Sequence, residues 1–171
     1  MNQSPKYFSR LLFENKYVRT KKVASEFYYF CFIKRSIVMH CILISIFLLN
    51  LFFWVLDTSN SWITFLIPLY YAFFTFVYFM QRNALIKRDE EIAPQGMNIT
   101  VSATNEYIEV MSSLGAVTKF DYSRFKKAYQ TKNLIILPSK AKHAVILHKS
   151  AFTLGSTNEF LAFLYSKGIS I

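Results

Sequence analysis

Few side chains in this sequence have the type and spacing needed for catalysis or metal binding. His143 and His148 are five residues apart in a segment typical of a strand. Because side chains alternate between the faces of a strand, this odd spacing sends the two imidazoles to opposite faces, where they cannot share a metal. Cys31 and Cys41 are ten residues apart, and we expect no disulfide between them. The sequence also lacks a G-x-S-x-G motif and a glycine-rich phosphate loop. It therefore predicts a non-enzymatic protein with no catalytic, metal-binding or cofactor-binding residues.

A group of basic residues in the last third of the chain is the main candidate for binding. Its members, on one predicted bend and the loops that follow, are Arg124, Lys126, Lys127, Lys132, Lys140 and Lys142. Such a group attracts anionic lipid headgroups or an acidic patch on a partner protein. Ordinary solubilising charge is the alternative. We expect no nucleic-acid binding, because no recognition helix or aromatic RNA-binding strand motif accompanies these side chains.

The charged residues are unevenly distributed along the chain. It has 171 residues, 53% of them hydrophobic, with 20 Lys and Arg against 10 Asp and Glu. Residues 1–36 carry eight basic and two acidic side chains, and residues 81–171 carry twelve and seven. Between them, residues 37–80 contain no Lys or Arg and a single acidic residue, Asp57. Because Lys and Arg are retained on the cytoplasmic side, this pattern is typical of a membrane insert with both flanks in the cytoplasm.

Two uncharged runs within this insert predict a transmembrane hairpin. Ile37–Leu56 has 20 residues, which is enough for a helix to cross a hydrocarbon core of about 30 Å. Trp62–Met80 is the second run and follows a short polar connection, Asp57–Ser61. The predicted membrane-interface anchors are Lys34, Arg35, Trp54, Trp62 and Arg82. We therefore expect a multi-pass protein of the cell membrane with both termini in the cytoplasm.

Three residues inside the hairpin are candidates for contacts between its helices. Asn50 in the first run lies at about the same predicted depth as Pro68 and Tyr71 in the second. A polar side chain at that depth marks a conduction or sensing path, or it forms a hydrogen bond between helices worth about 0.6 kcal/mol. Because neither run has an ionisable residue at mid-depth, we interpret these residues as helix-pair contacts.

Residues 1–36 are predicted to form an ordered cytoplasmic arm. Val23, Phe27 and Phe30 recur at helical spacing and predict a juxtamembrane amphipathic helix. Its aromatic face packs either on the bilayer or on the carboxy-terminal domain, and the sequence leaves both open. Residues 11–18 form a β-like run. Because the carboxy-terminal domain is small, this run is a candidate strand to complete its core.

The rest of the chain predicts a small β domain. Residues 81–96 predict a helical extension and a linker broken by Pro94 and Gly96. Within residues 97–171, the runs with β character are residues 99–104, 106–111, 116–122, 134–139 and 143–150. A final helix begins with a capping box formed by Ser156 and Glu159. This order predicts a β-sandwich or open barrel capped by a carboxy-terminal helix.

The order of elements and two stretches of this domain resemble the YcxB-like family of bacterial membrane proteins. The more specific stretch is YSRFKKAYQTKNLIIL, Tyr122–Leu137, in which Tyr129-Gln130-Thr131 fits the family's aromatic-Glu/Gln-Thr pattern. The second stretch is AVILHKSAF, Ala144–Phe152, whose His148-Lys149 pair precedes a short helix. The resemblance implies a cytoplasmic module similar to the pleckstrin-homology (PH) fold and a location in the bacterial inner membrane. It implies no known activity.

The predicted fold is therefore α+β, a two-helix transmembrane hairpin with a small cytoplasmic PH-like domain. This architecture favours a non-enzymatic, membrane-anchored adaptor or regulatory protein whose PH-like domain binds a partner protein or an anionic lipid surface. We expect membrane contact and an unidentified protein partner, with anionic phospholipid as a further candidate and homo-oligomerisation left open. The alternative is self-immunity against a secreted toxin or bacteriocin, acting through the hairpin.

Overall fold

The computed structural model describes residues 10–56, 61–139 and 143–171 and shows an α+β chain. Its helices are α1 (Lys21–Leu56), α2 (Ser61–Ile92) and α3 (Thr157–Ser166). Its strands are β1 (Leu11–Arg19), β2 (Met97–Thr104), β3 (Tyr107–Ser112), β4 (Val117–Asp121), β5 (Tyr129–Gln130), β6 (Leu134–Pro138), β7 (Ala144–His148) and β8 (Phe152–Leu154). The chain divides into a helical unit, Ala24–Pro94, and a β unit that joins Met1–Val23 to Gln95–Ile171.

In the helical unit, the beginning of α1 lies against the end of α2. The rings of Phe32 and Tyr78 stack with their centroids 3.3 Å apart. The guanidinium of Arg82 donates a hydrogen bond to the hydroxyl of Ser25. Because Ser25 contacts Arg82 and Phe32, farther along α1, contacts the earlier residue Tyr78 of α2, the two helices run in opposite directions.

The structure corrects the predicted membrane hairpin. Among the described residues, no helix combines the length and the hydropathy that crossing a membrane requires. This finding overturns the transmembrane spans predicted at residues 37–56 and 62–80, and with them the membrane-protein fold class. The multi-pass inner-membrane location with both termini cytoplasmic depended on the same spans and is overturned too. Crossing needs about 20 consecutive apolar residues, and the described residues of α1 and α2 do not supply such a stretch. The helices are 36 and 32 residues long and extend past the uncharged runs into charged sequence at Lys21–Lys22 and Lys87–Glu91.

A five-stranded antiparallel sheet is the larger part of the β unit. Its strand order is β4-β3-β2-β1-β8. The alternating sequence of β2 buries Ile99, Val101 and Ala103 on one face, as the period of two in a strand requires. β1 lies between β2 and β8, although 77 residues separate its last residue, Arg19, from the start of β2 at Met97 in the numbering. A segment from the amino-terminal part of the chain is thus an internal strand of this sheet.

A three-stranded antiparallel sheet, β5-β6-β7, forms the second layer of the unit. Its central strand contains four consecutive buried residues, Leu134–Leu137. Such a continuous apolar run is typical of a strand buried on both faces. The core joins the two sheets, since Ile135 and Leu137 belong to the same buried cluster as Val101 and Ile108.

Helix α3 packs on this core through Phe160 and Leu164, which are fully buried. Its amino terminus is capped as the sequence predicts. The hydroxyl of Ser156 accepts a hydrogen bond from the backbone N–H of Glu159 at 3.3 Å and donates one to the carboxylate of Glu159 at 2.8 Å. Gly155, just before the cap, has φ +75°, and the ring of Phe13 occupies the place that a Cβ would need. Only glycine fits that position without strain.

Candidate docking surface

The bend predicted to carry the basic group is a tightly anchored turn. β4 ends at Asp121 and is followed by a single 3₁₀ turn, Tyr122–Arg124. The hydroxyl of Tyr122 donates a hydrogen bond to the carbonyl of Thr104 at 2.7 Å. Burial raises the pKa of this phenol above its ordinary value. The side chains of Phe125 and Ala128 are also buried, with 4% and 0% of their surface exposed. Inward-facing residues therefore hold the turn at three points along its length.

Backbone contacts hold the same segment from two sides. On one side, Phe125 pairs with Ser139, the residue that follows β6. On the other, the carbonyl of Lys126 accepts hydrogen bonds from the N–H and the hydroxyl of Ser170, both at 3.2 Å. The N–H of Ala128 donates to the carbonyl of Ser170 at 2.7 Å. The backbone that carries the cations is therefore fixed before any ligand arrives.

The side chains of Arg124, Lys126 and Lys127, here called the basic turn, are all exposed. None of the three forms an ion pair with another residue in the described part of the chain. The ammonium of Lys127 lies 5.4 Å from the ring centroid of Tyr129, within the range of a cation–π contact. The basic turn thus presents three positive charges to solvent on a backbone that is held in place.

The structure separates Lys132 from the basic turn. Tyr129 pairs with Ile136 and Gln130 pairs with Ile135, so Lys132 lies at the tip of the hairpin between β5 and β6. Lys127 precedes the hairpin, at its opposite end. With a rise of about 3.3 Å per residue, five residues of extended chain separate the two Cα atoms by up to about 16 Å. The predicted group is therefore divided.

Lys140 and Lys142 lie outside the described residues. The residues that flank them are described, and the N–H of Ser139 donates to the carbonyl of His143 at 2.8 Å. His143 directly precedes β7 and His148 is its last residue. No group of three or more His, Cys, Asp or Glu in the described ranges is placed to hold a metal ion.

The other predicted contact residues are in the helical unit. Pro68 and Tyr71 line the same cavity, of about 250 Å³, together with Leu43 and Phe47 of α1. Arg82, predicted as an interface anchor, instead donates a hydrogen bond to Ser25. The remaining candidates belong to helices whose backbone is described, but their side chains lie outside the described part; they are Lys34, Arg35, Asn50, Trp54 and Trp62.

Sequence reasoning missed one buried polar residue that joins the two sheets of the β unit. Asn15 in β1 is fully buried, and its side-chain amide pairs with the backbone of His148 in β7. Asparagine is depleted in strands, so an Asn in the middle of a β-like run is the available sequence signal.

Comparison with known proteins gives one family match. The family model described as YcxB-like protein matches residues 103–164, from the end of β2 to the last turn of α3, and includes the basic turn. No curated protein and no solved structure matches the chain. The similarity to the PH fold, which the resemblance implies, therefore stays a prediction. The match does confirm the family predicted from Tyr122–Leu137 and Ala144–Phe152: residues 103–164 are a YcxB-like region.

Proposed function

We propose that the YcxB-like region is a non-enzymatic docking module of an adaptor or regulatory protein, and that the basic turn binds an acidic patch on a partner protein. The observation that carries this proposal is the combination of three exposed cations with a backbone anchored by Phe125, Ala128 and Ser170. Phe125 and Ala128 belong to the hydrophobic core, so the contacts that stabilise the fold also hold the three cations in place.

The anchored turn suits recognition for two physical reasons. Clustered charges of one sign raise the local potential and accelerate encounter with an oppositely charged partner. A backbone that is already ordered also loses less conformational entropy on binding. Exposed pairs contribute only about 0.2–1 kcal/mol each, so the basic turn supplies orientation and association rate rather than most of the affinity.

Anionic phospholipid is the competing ligand, because each basic residue near an anionic surface contributes about 1 kcal/mol. The experiment must therefore separate the two. The test variant carries Arg124→Glu, Lys126→Glu and Lys127→Glu. The control is Lys132→Glu, which makes one such charge reversal at the other end of the β5–β6 hairpin.

Crosslinking in cells, followed by purification and mass spectrometry, is compared for the wild-type chain and both variants. We expect a near-stoichiometric partner with an acidic surface that the triple variant loses and the Lys132→Glu control retains. Equal capture by all three chains would overturn the proposal. Charge-dependent binding to phosphatidylglycerol vesicles with no captured protein would also overturn it, in favour of a lipid ligand.

Self-immunity through the hairpin stays a prediction. No feature of the described residues favours it over docking by the β unit.

A further inference from the structure

The strand at the edge of the larger sheet, β4, leads directly into the basic turn. β4 is the last strand in the order β4-β3-β2-β1-β8, and among the described residues only β3 pairs with it. Four of its five residues are exposed, and Phe120 alone is buried. An exposed edge of this kind can accept a further strand.

The register identifies the backbone groups that are available on this edge. The N–H of Ser112 donates to the carbonyl of Ala116 at 2.9 Å, which makes these two residues a hydrogen-bonded pair. Hydrogen-bonded and non-hydrogen-bonded pairs alternate along an antiparallel ladder. The backbone groups of Val117, Lys119 and Asp121 therefore point away from β3. Among the described residues no second strand pairs with this side of β4, so the N–H and C=O groups of Val117 and Lys119 and the N–H of Asp121 are available to an added strand. The carbonyl of Asp121 begins the 3₁₀ turn Tyr122–Arg124.

The two ends of the edge differ in chemistry. Where β4 begins, Met111, Leu114 and Val117 form an apolar tip on the β3–β4 hairpin, with 46%, 58% and 52% of their surface exposed. Where β4 ends, the chain passes directly into the basic turn. Between them, Lys119 pairs with Glu109 at 2.9 Å, and this hydrogen-bonded carboxylate raises the pKa of Lys119. The charge of Lys119 at the centre of the edge is thus compensated by Glu109. Arg124, Lys126 and Lys127 form no ion pair with any described residue, and their three positive charges outnumber the single carboxylate of Asp121 that precedes them.

We propose that β4 accepts an extended segment of the partner protein as an added antiparallel strand. This inference rests on the proposed function, because it assigns the acidic part of that partner to the basic turn. In an antiparallel pair, the amino-terminal end of the added strand lies beside Asp121 and its carboxy-terminal end beside Val117. The segment therefore begins with acidic residues and continues with alternating apolar residues that reach the apolar tip. Backbone hydrogen bonds to β4 supply affinity. The basic turn at one end of β4 and the apolar tip at the other determine the direction in which the segment binds.

Charge complementarity favours such a segment over a second copy of this chain. If two β4 strands paired antiparallel, the basic turn of each copy would lie beside the apolar tip of the other. That arrangement leaves the cations without counter-charge. Self-association is therefore an outcome of the test that would overturn the proposal.

The probe is the peptide acetyl-Glu-Asp-Glu-Val-Thr-Val-Thr-Leu-amide, and its control is the same composition in reversed order. NMR spectra of the ¹⁵N-labelled full chain are recorded during titration with each. We expect the first peptide to shift the amides of Val117, Lys119 and Asp121 and to protect them from hydrogen exchange. The amides of Thr118 and Phe120, which already pair with β3, should gain little protection. The reversed peptide should bind about tenfold more weakly.

A variant pair tests the backbone contact itself. Val117→Pro removes an outward N–H but none of the ladder to β3, whereas Val117→Ala removes only the side chain beyond Cβ. Val117→Pro should weaken peptide binding about tenfold more than Val117→Ala does. Because a proline can also disturb folding, the thermal unfolding of both variants is compared. The amide shifts of the wild-type chain test strand addition independently of any substitution.

The possible failures are distinguishable. If charge reversal of the basic turn abolishes partner capture but the edge amides do not respond to the peptide, strand addition is overturned and the proposed function stands. If the edge amides respond to an uncharged peptide as strongly as to the acidic one, the role of the basic turn is overturned. Shifts of these amides with protein concentration alone would assign the edge to a second copy and overturn the inference.

Discussion

Asn15 and His148 are 133 positions apart in sequence, and one side chain joins them across the two sheets. The Nδ2 of Asn15 donates to the carbonyl of His148 at 2.8 Å, and its Oδ1 accepts from the N–H of His148 at 3.1 Å. A single amide in β1 thus satisfies both backbone groups of a residue at the end of β7. Because Asn15 is fully buried, water cannot replace it.

Replacing Asn15 with Ala should destabilise the β unit. The change leaves the N–H of His148 without its acceptor, while the carbonyl keeps the N–H of Ala151 as a donor at 3.0 Å. We expect a loss of about 1–3 kcal/mol in the free energy of unfolding. Urea denaturation followed by circular dichroism measures it. Asn98→Ala, on an exposed position of the adjacent strand β2, is the matched control and should change stability by less than about 0.5 kcal/mol. Equal effects of the two substitutions would show that the amide is not a structural link.

Removing β1 should abolish cooperative folding of the β unit. β1 is an internal strand, so deletion of residues 1–20 leaves β2 and β8 with unpaired edges and removes Phe13, whose ring lies 5.3 Å from that of Phe160. We expect the sigmoidal thermal transition of the full chain to be lost. A synthetic peptide of residues 10–20 added to the truncated chain should restore it in part. An unchanged melting temperature after the deletion would contradict the internal position of β1.

The buried phenol of Tyr122 should make stability fall at alkaline pH. Burial raises its pKa in the folded state above the ordinary value of 10.0, so the folded protein keeps a proton that the unfolded chain loses. This stability is present below about pH 10 and is lost as the pH rises above it. Burial also raises the pKa of Tyr17, so Tyr122→Phe should reduce the alkaline slope without abolishing it. Denaturation at several pH values measures that slope.

At neutral pH, Tyr122→Phe also removes the hydrogen bond to the carbonyl of Thr104. We expect a cost of about 1 kcal/mol from this change alone. Tyr165→Phe is the control, because Tyr165 is 73% exposed. If both substitutions leave the alkaline slope unchanged, the buried phenol does not govern it.

The cap of α3 makes a separate contribution. Ser156→Ala removes the hydroxyl that accepts from the N–H of Glu159, and we expect a loss of about 1 kcal/mol in stability. Ser156→Asp retains an acceptor at the same position and should recover most of the loss. Thermal unfolding of the three chains tests both effects, and an Ala variant as stable as the Asp variant would contradict the role of the cap.

Local patterns in the sequence account for much of the β unit. The predicted runs at residues 99–104, 106–111, 116–122, 134–139 and 143–150 coincide with β2, β3, β4, β6 and β7. Alternating or continuous apolar residues are a local signal, so a strand of this kind can be recognised without knowing which strands pair. β5 and β8 have two and three residues. They are too short for any periodicity, and pairing with neighbouring strands defines them.

The membrane hairpin shows where a local pattern misleads. Absence of charge over Ile37–Leu56 and Trp62–Met80 predicts two membrane spans, yet no described helix is long and apolar enough to cross a membrane. The uncharged runs do lie in helices, α1 and α2. The helical character of these segments is therefore a local property that the sequence indicates correctly.

By itself, the sequence determined the features that depend on neighbours in the chain. These are the cap at Ser156, the grouping of Arg124, Lys126 and Lys127 on one bend, and the YcxB-like region that includes them. Only the tertiary structure decided that β1 lies between β2 and β8, that Asn15 joins the two sheets and that Lys132 is separated from the basic turn. The physical reason is that residues close in sequence are positioned by the period of a helix, strand or turn. Which strands pair depends on which apolar faces can be buried together, and this depends on the whole chain.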